Sequence, residues 1–248
     1  IPRVLGQLTP EVARWFAKVI VVNNRSTDDG EAAAVDAATR VDGTEVVVLR
    51  NDDNYGLGGS HKVAFEHALA GDFTHVTVLH GDDQGRIADL VPHLEAGEHL
   101  EVDALLGARF HPDSTLPGYS AFRTFGNHVF NRLFSVVCGA RIHDLGSGLN
   151  LYDVRILADR FWLRFPDDLT FNYAMSMAHA HLGHRVRFFP IVWREDDQIS
   201  NVKLASQARR VMGMLADFAR NREAFVAAEH RITPRDAYTA QAVQTDQA

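Results

Sequence analysis

The sequence predicts an α/β fold in which one open, mostly parallel sheet is flanked by helices. Three observations carry this expectation. Short β-branched runs alternate with stretches of helical spacing through the first half of the chain. Turns rich in glycine and carboxylates directly follow those runs. No internal repeat or composition break divides the 248 residues before a polar C-terminal end.

Residues 1–16 give the end of a loop and a short helix. A strand is predicted at 18–22 (Lys-Val-Ile-Val-Val), a helix at 29–39, a strand at 44–49 and a helix at 59–70. The run His75-Val76-Thr77-Val78-Leu79 within 74–79 is a buried strand by its β-branched content, followed by a helix around 87–96 and a strand at 104–107. Loop residues 112–118 lead to a long apolar-rich helix at 120–138. The loop 144–148 then precedes an edge strand at 149–152, a helix at 171–181, a strand at 186–193 and an amphipathic helix at 200–228. An α/β sheet normally opens with a strand, yet the chain begins at Ile1 with a loop and helix, so a first strand is expected to be missing. The expected organisation is one domain over 1–230 and a loose polar tail over 231–248.

Composition fits an enzyme-sized unit, with 46% hydrophobic and 23% charged residues. No run approaches the roughly 20 apolar residues that cross a bilayer. The single cysteine, Cys138, excludes an internal disulfide and suits a reducing, cytoplasmic setting. A net charge of −7 argues against a general nucleic-acid binder. Local basic residues must therefore carry any anion binding.

Ligands of open α/β sheets gather at the carboxyl ends of strands. His80, Gly81, Asp82, Asp83 and Gln84 stand there, after the strand at 74–79. A hard divalent cation prefers carboxylate oxygens, which makes Asp82 the first choice of ligand. His80 can bind a softer divalent ion, contact a ribose or simply pack. The turn Asn23-Asn24-Arg25-Ser26-Thr27-Asp28-Asp29-Gly30 offers amides that can bond a pyrimidine edge or ribose, while Ser26 and Asp28 can cap the next helix. The segment Asn54-Tyr55-Gly56-Leu57-Gly58-Gly59-Ser60 opens the helix carrying Lys62. Its glycines suit either a phosphate cradle or close packing of helix on sheet.

These segments resemble family-two glycosyltransferases. Residues 23–30 are similar to the family's V-D-x-x-S-x-D-G turn and 54–60 to its N-x-G-x-G-x-A segment. The turn at 80–84, Gly107-Ala108-Arg109, Asp144-Leu145-Gly146-Ser147-Gly148 and the stretch 194–203 follow in the family's order. The resemblance spans about residues 1–205 and is closest to dolichyl- or polyprenyl-phosphate sugar synthases. It implies a GT-A (Rossmann-like) fold, a nucleoside-diphosphate sugar donor, inversion at the sugar carbon and a divalent cation, magnesium or manganese. Departures from the pattern are Asn23 for the usual Asp, His80 in the D-x-D turn, and Asp197 where a glycine belongs, with Ser200 and Lys203 falling late.

On this resemblance Asp82 and His80 are the candidate metal ligands, and Gln84 faces the sugar or diphosphate beside Asp83. Arg109, Arg123, Arg194 and Lys203, with Ser200, are the candidate anion contacts; Arg123 and Asn127 open the expected acceptor helix. A lipid monophosphate acceptor is already ionised near neutral pH, its second pKa being about 6, and needs no strong base. A sugar hydroxyl acceptor needs one, and Asp144, ahead of Ser147, is then the candidate, unless it only caps its turn. The remaining alternative is a non-catalytic nucleotide-sugar binding module. The 200–228 helix places Leu204, Ala205, Val211, Met212, Met214, Leu215, Phe218 and Phe225 among basic residues. It either packs on the sheet, the favoured outcome, or makes a peripheral contact at the inner membrane face.

Overall fold

The computed structural model describes residues 1–194 and 204–243. Two short helices, α1 (Pro2–Leu5) and α2 (Pro10–Ala13), each start with a proline in the first turn, where the missing N–H costs nothing. They lead to β1 (Lys18–Asn23), α3 (Gly30–Ala38), β2 (Glu45–Asn51), α4 (Gly56–Ala70) and β3 (His75–Leu79). Residues 87–95 form a 3-10 turn and the short helix α5 (Val91–Glu95), because Pro92 cannot sit deeper in a helix than its first turn. The chain continues through β4 (Ala104–Ala108), α6 (Ala121–Cys138), β5 (Leu149–Asp153), α7 (Phe171–Leu182), β6 (Val186–Pro190), α8 (Leu204–Arg220), α9 (Arg222–Ala227) and β7 (Ala240–Ala242).

The α/β class expected from the sequence holds, with mixed pairing. β1 and β2 are parallel, and β7 adds to β2 antiparallel. The second sheet has the order β3-β5-β4-β6, in which β5 is antiparallel to both neighbours and β4 is parallel to β6. The expected edge strand at 149–152 is thus central. Its five residues are all buried, and the one polar amide that faces inward, Asn150, donates to the Ser147 carbonyl at 2.9 Å.

The main core lies between the second sheet and α4, α6, α7 and α8, around Phe65, Phe134, Tyr152, Trp162, Phe165 and Phe171. Val211, Met214, Leu215 and Phe218 of α8 and Phe225 of α9 are buried in it, so the C-terminal helices pack on the body of the protein. The expected single helix over 200–228 is interrupted at Asn221, whose side chain accepts from the Ala224 amide and caps α9. Residues 231–243 are no loose tail. Tyr238 is buried against Tyr55 and Val63, and β7 pairs with the outer edge of β2.

Along α6 the apolar residues Phe122, Phe125, Val129, Leu133 and Val136 are 80%, 68%, 50%, 36% and 66% exposed, forming an uncovered stripe at three- and four-residue spacing. Between β1 and β3 lies a cavity of about 770 Å³, roofed and floored by helices.

Candidate active site

Three structural joints gather the carboxyl ends of the strands around one rim. At the first, the side chains of β1 and β2 tie to the start of α4. Asn51 Nδ2 donates to Asn24 Oδ1 at 3.0 Å and to Ser60 Oγ at 3.2 Å, Tyr55 N donates to Asn24 Oδ1 at 2.8 Å, and Asn24 Nδ2 donates to Asn54 Oδ1 at 2.8 Å. Asn54 Oδ1 also accepts from Gly56 N at 3.1 Å. Asn23 is equally engaged: Oδ1 accepts from Ser26 N at 2.9 Å and Nδ2 donates to Glu31 at 2.6 Å. Asp28 accepts from Gly30 N at 3.0 Å at the start of α3. The amides expected to read a base therefore build the turn; in these bonds the NH2 groups of Asn23 and Asn24 each spend one of their two hydrogens.

Lys62 does not face the ligand rim. It is fully buried, and Nζ donates to Phe165 O at 2.6 Å, Asp167 Oδ1 at 2.6 Å and Tyr238 Oη at 3.2 Å. Burial lowers its pKa to about 8 against the pull of Asp167. The glycines here serve the same packing: a Cβ on Gly56, whose φ is +72°, would stand 2.5 Å from the Asp167 carbonyl, and one on Gly58 2.4 Å from that of Pro166. Close packing of α4 on the 166–167 loop is what these glycines serve here.

The second joint is the turn after β3. Asp82 is half-buried, and its carboxylate accepts from Gln84 N at 3.2 Å and from its own backbone N–H. Burial raises its pKa, with the neighbouring Asp83 adding to the effect. Asp83 holds a left-handed backbone (φ +63°) and turns its carboxylate to α1, where Gln7 Nε2 donates at 3.1 Å and Arg3 Nε lies 3.1 Å away. It ties the turn after β3 to the N-terminal helices. His80 packs edge-on to His61 at 5.6 Å and lies where a Gly148 side chain would collide, 2.7 Å from its Nδ1. Burial drops its pKa to about 4, with Arg109 contributing.

The third joint closes on β4 and the 144–148 loop. Asp144 accepts from Arg109 N, Nε and Nη2, all at 2.8 Å, and from Gly146 N at 3.0 Å. The pair is deeply placed, with side chains 14% and 1% exposed, and the adjacent carboxylate raises the Arg109 pKa against the cost of burial. Ser147 is buried, and its Oγ accepts from Leu149 N at 3.3 Å, a turn contact. The Arg109 guanidinium lies 5.2 Å from the Phe110 ring and 5.4 Å from that of Trp193. Next to Trp193, Arg194 N donates to Gln84 O at 3.0 Å, so Asp82, Gln84, Arg109 and Arg194 fall along one rim. Arg123 stacks over Tyr119 at 4.7 Å, and Asn127 Nδ2 donates to Tyr119 Oη at 3.2 Å and Arg123 O at 2.8 Å. Tyr119 meets Phe110 at 5.8 Å, which links the start of α6 to Arg109. Ser200 and Lys203 lie outside the described residues.

Sequence reasoning missed Trp193, Tyr119 and Tyr173. Trp193 packs beside Gly85 and Gly148 and under Arg109. Tyr173 is pushed up by burial near the Arg109–Asp144 pair. The signal available for Trp193 was its place at the carboxyl end of a predicted strand, next to Arg194.

Fold and rim together define an α/β enzyme of the GT-A class. A model of the Glycosyl transferase family 2 domain matches residues 6–161, and the chain belongs to this family of glycosyltransferases. It is similar to the polyprenol monophosphomannose synthase of Mycolicibacterium smegmatis, with 21% identity over 201 residues, 80% of this chain and 75% of that protein. Among solved structures it resembles glucosyl-3-phosphoglycerate synthase from Mycobacterium tuberculosis in complex with uridine diphosphate (TM-score 0.59, 16% identity, 89% of this chain and 75% of that one). It also resembles residues 1–349 of TarS from S. aureus in complex with UDP-GlcNAc (TM-score 0.53, 16% identity, 87% and 62%).

Proposed function

We propose that this glycosyltransferase moves a sugar, with inversion, from a nucleoside-diphosphate sugar to the phosphate of a polyprenyl lipid. The observation that carries the choice of acceptor is the state of Asp144. Its carboxylate already accepts from four donors, so it is tied up as a counter-ion and poorly placed to take a proton from a hydroxyl acceptor. A lipid phosphate, with a second pKa of about 6, arrives ionised and removes the need for a base. The similarity to a polyprenol monophosphomannose synthase supports the same acceptor, and the uridine diphosphate and UDP-GlcNAc of the two structural relatives support the donor class.

Asp82 fits a divalent cation. It is a half-buried carboxylate bonded to backbone amides, and burial disfavours its charge until a cation compensates it. No three His, Cys, Asp or Glu side chains among the described residues converge into a cage. One protein carboxylate with the rest of the shell from phosphates and water is the usual arrangement for magnesium. His80 fits less well because its ring is packed between His61 and Gly148. When bound, the cation would neutralise charge on the departing nucleoside diphosphate.

The chain's own residues do the rest. Arg109, held by Asp144, offers a fixed positive group at the rim beside Trp193; Gln84 and Arg194 border the same opening. Arg123 and Asn127 on α6 stand on the acceptor side, and the exposed Phe122, Phe125, Val129 and Val136 stripe would bring that side to a lipid surface. No helix of the described residues is long and apolar enough to cross a membrane. The test is sugar transfer from radiolabelled uridine and guanosine diphosphate sugars to a polyprenyl phosphate in detergent, with manganese, magnesium or chelator. Lipid-linked product that Asp82→Asn abolishes supports the reading; transfer to sugar hydroxyls but not to lipid phosphate overturns it.

A further inference from the structure

Residues 229–243 pass over the first turns of α4, where Tyr238 touches Gly59 and Lys62, and their bonds converge on the turn that follows β2. β7 pairs with β2 by setting Ala242 opposite Leu49, Gln241 opposite Arg50 and Ala240 opposite Asn51. The contacts do not stop with this ladder. Asp52 N donates to Thr239 O at 3.1 Å, and the Asp52 carboxylate accepts from Thr239 Oγ1 and, at 2.9 Å, from Gln241 Nε2. Arg235 Nη1 stands 2.7 Å from Asp53 Oδ2, and its guanidinium lies 5.0 Å from the centre of the Tyr55 ring. Tyr238 meets the same ring edge-on at 5.2 Å, and Thr239 N donates to Tyr55 Oη at 3.4 Å.

The gripped segment is also the one that orients Asn24. Asn51 and Tyr55 donate to Asn24 Oδ1, and Asn54 accepts from Asn24 Nδ2. Asn24 in turn lines the same cavity as Asp82, on the side of β1. Asp53 adds a second link between the two turns: the bond from Arg235, then Asn54 N, and then the charge of Arg25 after β1 hold its carboxyl below the usual range.

We propose that residues 229–243 are a positioning strap for the donor site, in which Arg235, Thr239 and Gln241 fix the turn 52–55 and, through it, set Asn24 to receive the nucleoside diphosphate part of the donor. The inference rests on the donor reading given above, and it assigns none of these three residues a contact with substrate.

Plain cover for the edge of β2 would need only the rungs at 49–51. The bonds to 52, 53 and 55 lie beyond the last rung and act on the turn itself. Within the turn the hydrogen bonds seen are short-range ones, from Asn54 N to Asp53 Oδ1 and from Gly56 N to Asn54 Oδ1. Its two adjacent carboxylates repel each other, and the strap answers both, with a cation for Asp53 and a hydroxyl and an amide for Asp52. Tyr55 is pressed onto Gly59, where an added Cβ would stand 2.3 Å from the tyrosine's own. A turn freed of the strap would have to be ordered when the donor binds, and that cost falls on donor affinity.

Arg235→Met with Thr239→Val tests this, since it removes the cation and the hydroxyl while leaving the Tyr238–Asp167 bond and the β7 ladder in place. Amide exchange followed by NMR at Tyr55 and Gly56 reads the turn; calorimetric titration with uridine and guanosine diphosphates in the presence of manganese reads the site. Both amides should exchange at least about 10-fold faster than in the parent, and the diphosphate should bind at least about 10-fold more weakly. Arg235→Lys with Thr239→Ser keeps the charge and the hydroxyl and should bind within about threefold of the parent. Lys62→Met destabilises the packing beneath the strap without touching 52–55, and should leave affinity unchanged. A double variant that keeps parental exchange at Tyr55 and Gly56, or parental affinity, makes the strap an edge cover alone and overturns the proposal. Equal weakening in Lys62→Met would trace the effect to lost stability and overturn it too. A parent that binds neither diphosphate overturns the donor site together with this inference, whereas a parent that binds and a double variant that binds equally well overturn this inference alone.

Discussion

Replacing Asp144 by Asn tests whether the Arg109–Asp144 pair is a structural clamp or a catalytic acid. The substitution keeps the shape of the side chain and removes its charge. One of the two oxygens that now accept at 2.8 Å from Arg109 Nε and Nη2 becomes an NH2, so a donor faces a donor. The guanidinium, only 14% exposed, is left without its counter-ion. Breaking a buried pair from one side costs about 3–5 kcal/mol, against a total stability of about 5–15 kcal/mol. For a chain of this size each kcal/mol moves Tm by roughly 2–4 °C, so Asp144→Asn should melt roughly 6–20 °C lower. Scanning calorimetry at pH 7.5 reads this directly.

The companion variant separates pair from chemistry. Arg109→Met with Asp144→Leu removes both charges from the same buried place and should recover most of the lost Tm, since apolar replacements of buried pairs are often neutral or stabilising. It should remain inactive toward sugar transfer, because the cation at the rim is gone. An Asp144→Asn protein that melts within about 1 °C of the parent while losing all transfer would refute the clamp and return Asp144 to the role of a base.

Asp82→Asn should abolish transfer while leaving Tm at pH 7.5 unchanged or higher. Burial raises this carboxyl's pKa in the fold, so its contribution to stability is present at acid pH and lost as pH rises through the folded value; calorimetry from pH 4 to 8 should show the variant's advantage vanish at the acid end. Lys62→Met removes the donor to Phe165 O, Asp167 and Tyr238, and should cost about 2 kcal/mol or more in urea unfolding, with donor affinity of the folded protein unchanged by calorimetric titration. Phe122→Ser with Phe125→Ser on the exposed face of α6 should leave stability within about 0.5 kcal/mol, yet reduce co-sedimentation with anionic vesicles at least several-fold; equal sedimentation would detach α6 from the membrane.

Local chemistry was legible in the sequence, and long-range pairing was not. β1, β3 and α6 fall within about two residues of their expected bounds, because a β-branched run or a three-to-four spacing is written in consecutive residues. The central place of β5 depends on partners some 45 to 75 residues earlier, and nothing in Leu-Asn-Leu-Tyr announces them. The same holds for Tyr238, whose burial requires Lys62 and Asp167 to be assembled first. At the rim the sequence placed Asp82, Gln84, Arg109 and Arg194 along one opening, since carboxyl ends of strands converge in an α/β sheet. It could not tell which polar side chains there were already spent. Asn23, Asn24, Asp83 and Asp144 carry the expected residue types, yet their side-chain oxygens already accept from Ser26, Tyr55, Gln7 and Arg109. A residue type offers hydrogen-bonding capacity, and only the fold decides how much remains for a ligand. By that measure Asp82, bonded to backbone amides and with its charge disfavoured by burial, keeps capacity for what a substrate complex would bring.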